Sequence, residues 1–202
     1  MAGVSEGKAV LLWTGYDEEI IPSDEYIRQA VENGGNAKDA ENDWFKYLEE
    51  RRVNKILIAD LKSGGTTEIA SGKNEKLLLL VDPDVVYKGA LYYYYDGALM
   101  SYSLRDGKTK ELLRTPDVIN VFAKDGRVFY ITRKAGGASF CYYVLESGES
   151  HEIVNEGNND VMVFPPHEEN STMFMGSYKE KRHLISKEDY YKEDYNKAVK
   201  ID

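Results

Sequence analysis

The chain has 202 residues, 42% apolar and 30% charged, enough for a compact domain with a buried core. Its net charge of −9 argues against a phosphate-backbone partner, so no nucleic acid is expected. No apolar stretch reaches the roughly 18 residues that a spanning helix needs, and a lone cysteine, Cys141, cannot form an internal disulfide.

Residues 1–10 hold no apolar signal core. The compartment is therefore expected to be cytoplasmic, unless a leader has been removed ahead of Met1. In that case an extracellular or cell-surface setting is favoured. Residues 8–14 (KAVLLWT) read as a strand, and no strand is expected before Lys8. Residues 15–53 then change period, which predicts a helical insertion inside the first strand unit. Ser23 is the expected N-cap, with Asp24 and Glu25 in the first turn and Gly34-Gly35 as the stop. A second helix is predicted from about Ala37 to Arg52, where Ala40, Trp44, Tyr47 and Leu48 share one apolar stripe. Strand character resumes over residues 54–60.

From Leu61 onward a phrase recurs. LKSGGTTEIA starts at Leu61, LRDGKTKELL at Leu104 and LESGESHEIV at Leu145, 43 and 41 residues apart. Each copy keeps Leu first, Gly fourth, Thr or Ser sixth, Glu eighth and an aliphatic ninth. A period of this length signals one supersecondary unit used repeatedly. Around the middle copy, short β-branched or aromatic runs are separated by Lys88-Gly89, Asp96-Gly97 and Asp106-Gly107. Asp-Gly between two such runs predicts a hairpin, because Gly supplies the positive φ of the tight turn. The third unit repeats the order, with Asp125-Gly126 and Gly136-Gly137 as breaks. A fourth is degraded: residues 161–164, 172–178 and 182–186 fit three strands, SKEDYYKEDYN has lost the glycine turn, and AVKID is a candidate last strand.

Four-stranded meanders carrying Leu-x-x-Gly before the last strand resemble the blades of TolB-like propellers and related Tyr-rich bacterial propeller domains of unknown function. The resemblance runs from Lys55 to about Ser186. The Trp-Asp and Gly-His marks of WD40 blades and the double glycine of kelch blades are absent. It implies an all-β, propeller-like array of about four four-stranded antiparallel blades, forming one domain over residues 1–202, with a two-helix insertion in the first blade. Two accounts of the ends stay open. In one, a small ring closes with AVKID completing the first blade; in the other, favoured because the fourth unit lacks its turn, the array is an arc or incomplete propeller.

No residue pattern supports catalysis: nucleophile elbow, P-loop and dinucleotide-binding glycines are all missing, and no catalytic, cofactor or metal residue is assigned. His151 fills a variable phrase position and is expected on a solvent-facing strand. His167 beside Glu168 and Glu169 reads as a solvated turn, and His183 as a strand end. Asp82 and Asp84 flank Pro83 between blades, either lining a channel or capping a turn. The recurring Glu68, Glu111 and Glu152 are expected to be structural, and Tyr92 to Tyr95 to alternate between two covered strand faces.

The expected function is a non-catalytic binding or scaffolding module that recognises a protein or carbohydrate through inter-blade loops and the helical insertion. The candidate contact residues are Trp44, Phe45, Tyr47, Asp82, Asp84 and His167. Two alternatives are a hydrolase or lyase acting on polysaccharide or peptide through rim carboxylates, and a structural segment of a larger surface or secreted protein.

Overall fold

The computed structural model describes residues 3–73, 76–78, 85–134, 137–153, 167–168, 172–178 and 181–201, with residues 134, 137, 167–168, 174–178 and 181 described by backbone alone. Its strands are β1 (Gly3–Ser5), β2 (Lys8–Tyr16), β3 (Arg52–Asp60), β4 (Thr66–Gly72), β5 (Leu77–Leu78), β6 (Val86–Tyr87), β7 (Ala90–Tyr95), β8 (Ala98–Ser103), β9 (Thr109–Arg114), β10 (Val118–Lys124), β11 (Arg127–Lys134), β12 (Gly137–Val144), β13 (Ser150–Glu152), β14 (His167–Glu168), β15 (Met173–Tyr178), β16 (Lys181–Ser186) and β17 (Val199–Ile201). Helices α1 (Ser23–Glu32) and α2 (Ala37–Arg51) separate β2 from β3, and α3 (Lys187–Tyr191) follows β16.

The fold is all-β: four antiparallel sheets, each a meander read in chain order. The sheets run β1-β2-β3-β4, β5-β7-β8-β9 with β6 also on β7, β10-β11-β12-β13, and β14-β15-β16-β17. By compactness the chain divides into units Met1–Ala123 and Lys124–Asp202.

One expectation about strands is corrected, one sheet gains a strand, and the last strand falls where the fourth unit's pattern put it. A strand does precede Lys8, since β1 pairs with β2 across Glu6-Gly7, so the first sheet is complete rather than cut. The turn was hidden because Glu is an unusual occupant of a left-handed position. In the second sheet the first strand position is split, β5 pairing with the end of β7 and β6 with its start. AVKID supplies β17, which pairs with β16, so it completes the fourth sheet and not the first as the closed-ring account required. Residues 161–164 lie outside the described residues.

The recurring phrases occupy the same structure in three sheets. In each, the fourth-position glycine donates its N–H to the carbonyl of the residue before the leucine: Gly64 to Asp60 at 2.8 Å, Gly107 to Ser103 at 2.9 Å and Gly148 to Val144 at 2.9 Å. These glycines have φ of +75°, +73° and +77°, a region that L side chains enter only at a cost. The leucine N–H then docks on the first hairpin of its own sheet, Leu61 to Gly7 O at 3.0 Å, Leu104 to Gly89 O at 2.9 Å and Leu145 to Gly126 O at 2.9 Å. Each hairpin has positive φ at both central residues, the primed turn whose twist matches the flanking strands. What recurs at this position is therefore a backbone bond; Leu61 is 58% exposed while Leu104 is fully buried.

The glutamates and the following aliphatics are also structural. Register slips at Ile56/Leu57 opposite β4 and at Leu99/Met100 opposite β9 leave Ile69 and Leu112 as extra residues. Such a bulge raises local twist where the sheet must coil. Glu68 lies 3.8 Å from Lys55 Nζ, Glu111 pairs with Arg114 at 2.7 Å, and Glu152 accepts from Ser139 Oγ at 2.7 Å.

In the first unit, one face of the first sheet packs on the second sheet. Val10, Ile56 and Ile58 meet Leu91, Tyr93 and Tyr102, and burial of such side chains contributes about 1.5–3 kcal/mol each before ordering costs. Buried Asn54 donates its side-chain amide to Leu77 O at 2.9 Å, which satisfies a carbonyl of β5. Tyr92, Tyr93 and Tyr94 are all buried, so both strand faces are covered as the sequence suggested.

In the second unit, α3 stands where the fourth Leu-x-x-Gly phrase was missing. Ser186 caps it, accepting from Asp189 N–H at 3.0 Å. Tyr191 donates its hydroxyl to Asp125 Oδ2 at 2.9 Å, and Lys187 Nζ lies 3.0 Å from the same oxygen. The Arg127 guanidinium sits 3.7 Å from the Tyr191 ring centroid. Asp125 is also a residue of the third sheet's first hairpin, so the helix is clasped to that turn.

Candidate functional site

The insertion between β2 and β3 is a helical hairpin that contributes almost nothing to the core. No residue of α1 is buried, and in α2 only Ala40 is. Helix α1 starts at Ser23, and Pro22 holds the N-cap position without a side-chain capping bond; the expected N-cap is thus displaced by one residue. Proline at −57° is already close to helical φ, and its carbonyl accepts from Tyr26 N–H at 2.9 Å. Asn36 caps α2, its Oδ1 accepting from the N–H groups of Lys38 and Asp39 at 2.8 and 3.4 Å.

The three aromatic candidates separate into two roles. Trp44 donates its indole N–H to Ile21 O at 3.0 Å, and the Tyr47 hydroxyl accepts from Ile21 N–H at 3.2 Å. One linker residue is thereby gripped at both of its backbone polar atoms. Tyr47 is packed further by the Tyr26 ring, with centroids 5.3 Å apart, and by the Arg51 guanidinium 3.9 Å from its centroid. Phe45 points outward: it is 54% exposed and touches the Trp44 ring edge-on at 5.3 Å. Trp44 and Tyr47 hold the hairpin, and Phe45 is what it presents.

The hairpin is also anchored electrostatically at its base. Lys55 Nζ on β3 bonds Asp17, which holds the lysine pKa above its usual value, and it lies 5.0 Å from the Trp13 ring centroid. Arg51 pairs with Glu18 at 3.1 Å.

Asp82 and Asp84 lie outside the described residues. His167 is in β14 opposite Met175, on a strand rather than in the expected turn, and its side chain is not described. His151 is half-buried and stacks on Tyr142 with centroids 5.0 Å apart at 18°. That corrects the solvent-facing expectation, because its cross-strand neighbour in this copy is aromatic. His183 is half-buried in β16, and its Nδ1 is buried without a hydrogen bond.

Three of the described carboxylates, Asp60, Asp106 and Asp189, have pKa values shifted down. Asp60 is lowered first by the Ser63 N–H, Asp106 to about 2 by the Ser103 hydroxyl and then Lys108, and Asp189 by Lys197 and then Ser186. Each closes a turn or a helix end. Among the described residues no cluster of His, Cys, Asp or Glu could hold a metal ion.

No family model and no curated protein matches the chain. Among solved structures it is similar to the β-propeller domain of the trilobed protease from Pyrococcus furiosus, at 12% identity and TM-score 0.44 over 99% of this chain and 55% of that one. It is also similar to a chain of a nidogen/laminin complex, at 8% identity and TM-score 0.40 over 66% and 56%. A third is TolB from Acinetobacter baumannii, at 10% identity and TM-score 0.32 over 75% and 43%. The chain thus spans about half the length of the structures it matches. No residue or activity is carried over from them.

Proposed function

We propose that this protein is a non-catalytic binding module that recognises a protein partner through the helical insertion, with Phe45 as the anchor and Trp44 and Tyr47 as the residues that position it. The observation that carries this reading is the hairpin's small share in the core: α1 and α2 together bury one residue, Ala40, yet the linker is fixed by two hydrogen bonds to Ile21. An insertion that is ordered but not needed for packing suits recognition, where a rigid aromatic on a pre-organised support is the usual energetic centre. A carbohydrate platform on Tyr92 to Tyr94 has no support, because those rings are buried. The hydrolase alternative needs an acid held above its ordinary range, and the described carboxylates Asp60, Asp106 and Asp189 are shifted the other way.

The test is a photo-crosslinking amino acid placed at Phe45, compared with one at the exposed Thr109 of β9. A partner captured from Phe45 alone is then purified and titrated calorimetrically. Phe45→Ala is expected to weaken it at least about tenfold, the scale of an anchor residue. Affinity indifferent both to Phe45→Ala and to removal of the hairpin refutes the proposal.

A further inference from the structure

We infer that the surface around Phe45 takes a basic polypeptide segment bearing an apolar side chain, an inference that rests on the binding role above and names its partner's chemistry. Between Asp17 and Arg52 the sequence has eleven acidic and five basic residues, a net −6 within the chain's −9. The other 166 residues carry only −3, so the negative field is concentrated on the insertion. All eleven carboxylate residues are exposed. Two of the five cations, Arg51 and Arg52, are half-buried and already paired, with Glu18 at 3.1 Å and Glu49 at 2.9 Å.

Within α2, Glu41 and Glu49 lie four residues before and after Phe45, which puts both on its face of the helix. The apolar anchor is thus flanked by carboxylates along the helix axis, Glu41 on one side and, on the other, Glu49 with its partner Arg52. A basic segment gains steering and register from these charges and affinity from the ring. Anionic lipid and nucleic acid are repelled by the same field. A second copy of the chain would bring two surfaces of like sign together, which disfavours self-pairing through this face.

The probe is a labelled peptide of leucine and lysine at helical spacing, with its leucine/glutamate counterpart and a lysine-only peptide as controls. Fluorescence anisotropy is read between about 0.05 and about 0.5 M salt, across which screening shortens to a few ångströms. The leucine/lysine peptide is expected to bind, and the glutamate version not. Phe45→Ala and the double change Glu41→Lys/Glu49→Lys should each weaken binding about tenfold or more, with only the charge change flattening the salt dependence. Should either variant misfold by circular dichroism, the same peptide carrying a photoactivatable group is used on the native chain, where crosslinks must fall on α2. Equal binding of the glutamate peptide, or crosslinks elsewhere, overturns the inference. A natural partner captured at Phe45 through an acidic surface overturns it while leaving the binding role intact. A partner unaffected by loss of the hairpin overturns the role itself.

Discussion

Gly64 and Gly65 are adjacent, but only Gly64 has a positive φ, at +75°. Alanine at Gly64 meets nothing within 4 Å, so its entire cost is backbone strain, about 1–2 kcal/mol. With a urea m-value of about 2 kcal/mol/M, that moves the unfolding midpoint down by about 0.5–1 M. Gly65→Ala meets only Ser63 Oγ, at an ordinary 3.4 Å; it should be neutral, or stabilise by up to about 1 kcal/mol through the unfolded chain. Asparagine at Gly64 should recover part of the loss, since its short polar side chain tolerates the left-handed region. Gly107→Ala and Gly148→Ala repeat the strain and add a contact, because a Cβ there lies 3.4 and 3.3 Å from the hydroxyls of Tyr102 and Tyr143. Equilibrium urea unfolding of the five variants is the assay. A harmless Gly64→Ala, or equal losses at Gly64 and Gly65, would refute the claim that the three phrases build one turn.

Three further outcomes are expected. Tyr191→Phe removes the hydroxyl donor to Asp125 and should cost about 1 kcal/mol in the second unit; hydrogen exchange should show α3 loosened, and unchanged protection there would contradict the clasp. Burial raises the Tyr130 pKa to about 12, against a lowering contribution from the Ser150 hydroxyl. The unfolded chain therefore releases that proton first: the contribution is whole below about pH 10 and is lost as pH climbs towards 12, a loss that Tyr130→Phe should blunt in urea titrations at alkaline pH. Asp106 is lowered to about 2 by Ser103 and Lys108, so its contribution is whole above the unfolded carboxylate range and is lost as pH falls towards 2. A carboxyl NMR titration should find that low midpoint and see it rise in Ser103→Ala; a midpoint near 4 in the native chain would count against the turn geometry.

The sheets were legible because their turns are written in residue types with one backbone meaning. Lys88-Gly89, Asp96-Gly97 and Asp125-Gly126 each gave a positive-φ pair, and Leu-x-x-Gly gave the loop that docks on the first hairpin. Glu6-Gly7 was missed although it folds identically, since Glu lacks the local bonding that makes Asp or Asn a turn signal and β1 has only three residues. The residue two places before the leucine, Tyr102 and Tyr143, also carried a signal: its hydroxyl lies over the turn glycine in both copies, while Ala59 stands there in the first. The aromatic stripe of α2 was readable from its spacing, but not which ring would face out. That depended on Ile21, which is 23 residues from Trp44 and 26 from Tyr47 and recruits both polar groups. Likewise, losing the glycine turn after β16 did not announce that Tyr191 and Lys187 would reach Asp125, more than 60 residues away.

The insertion can be removed cleanly because Tyr16 and Arg52 are direct cross-strand partners. Replacing residues 17–51 with Asn-Gly closes β2 and β3 with a two-residue hairpin turn. The urea midpoint of this shortened chain is the sharpest measurement of whether the helices serve recognition rather than stability. A cooperative transition within about 1 kcal/mol of the full chain, the allowance for the lost Lys55 and Arg51 pairs, is the predicted result. A chain that no longer unfolds cooperatively would mean that the hairpin is part of the folded core.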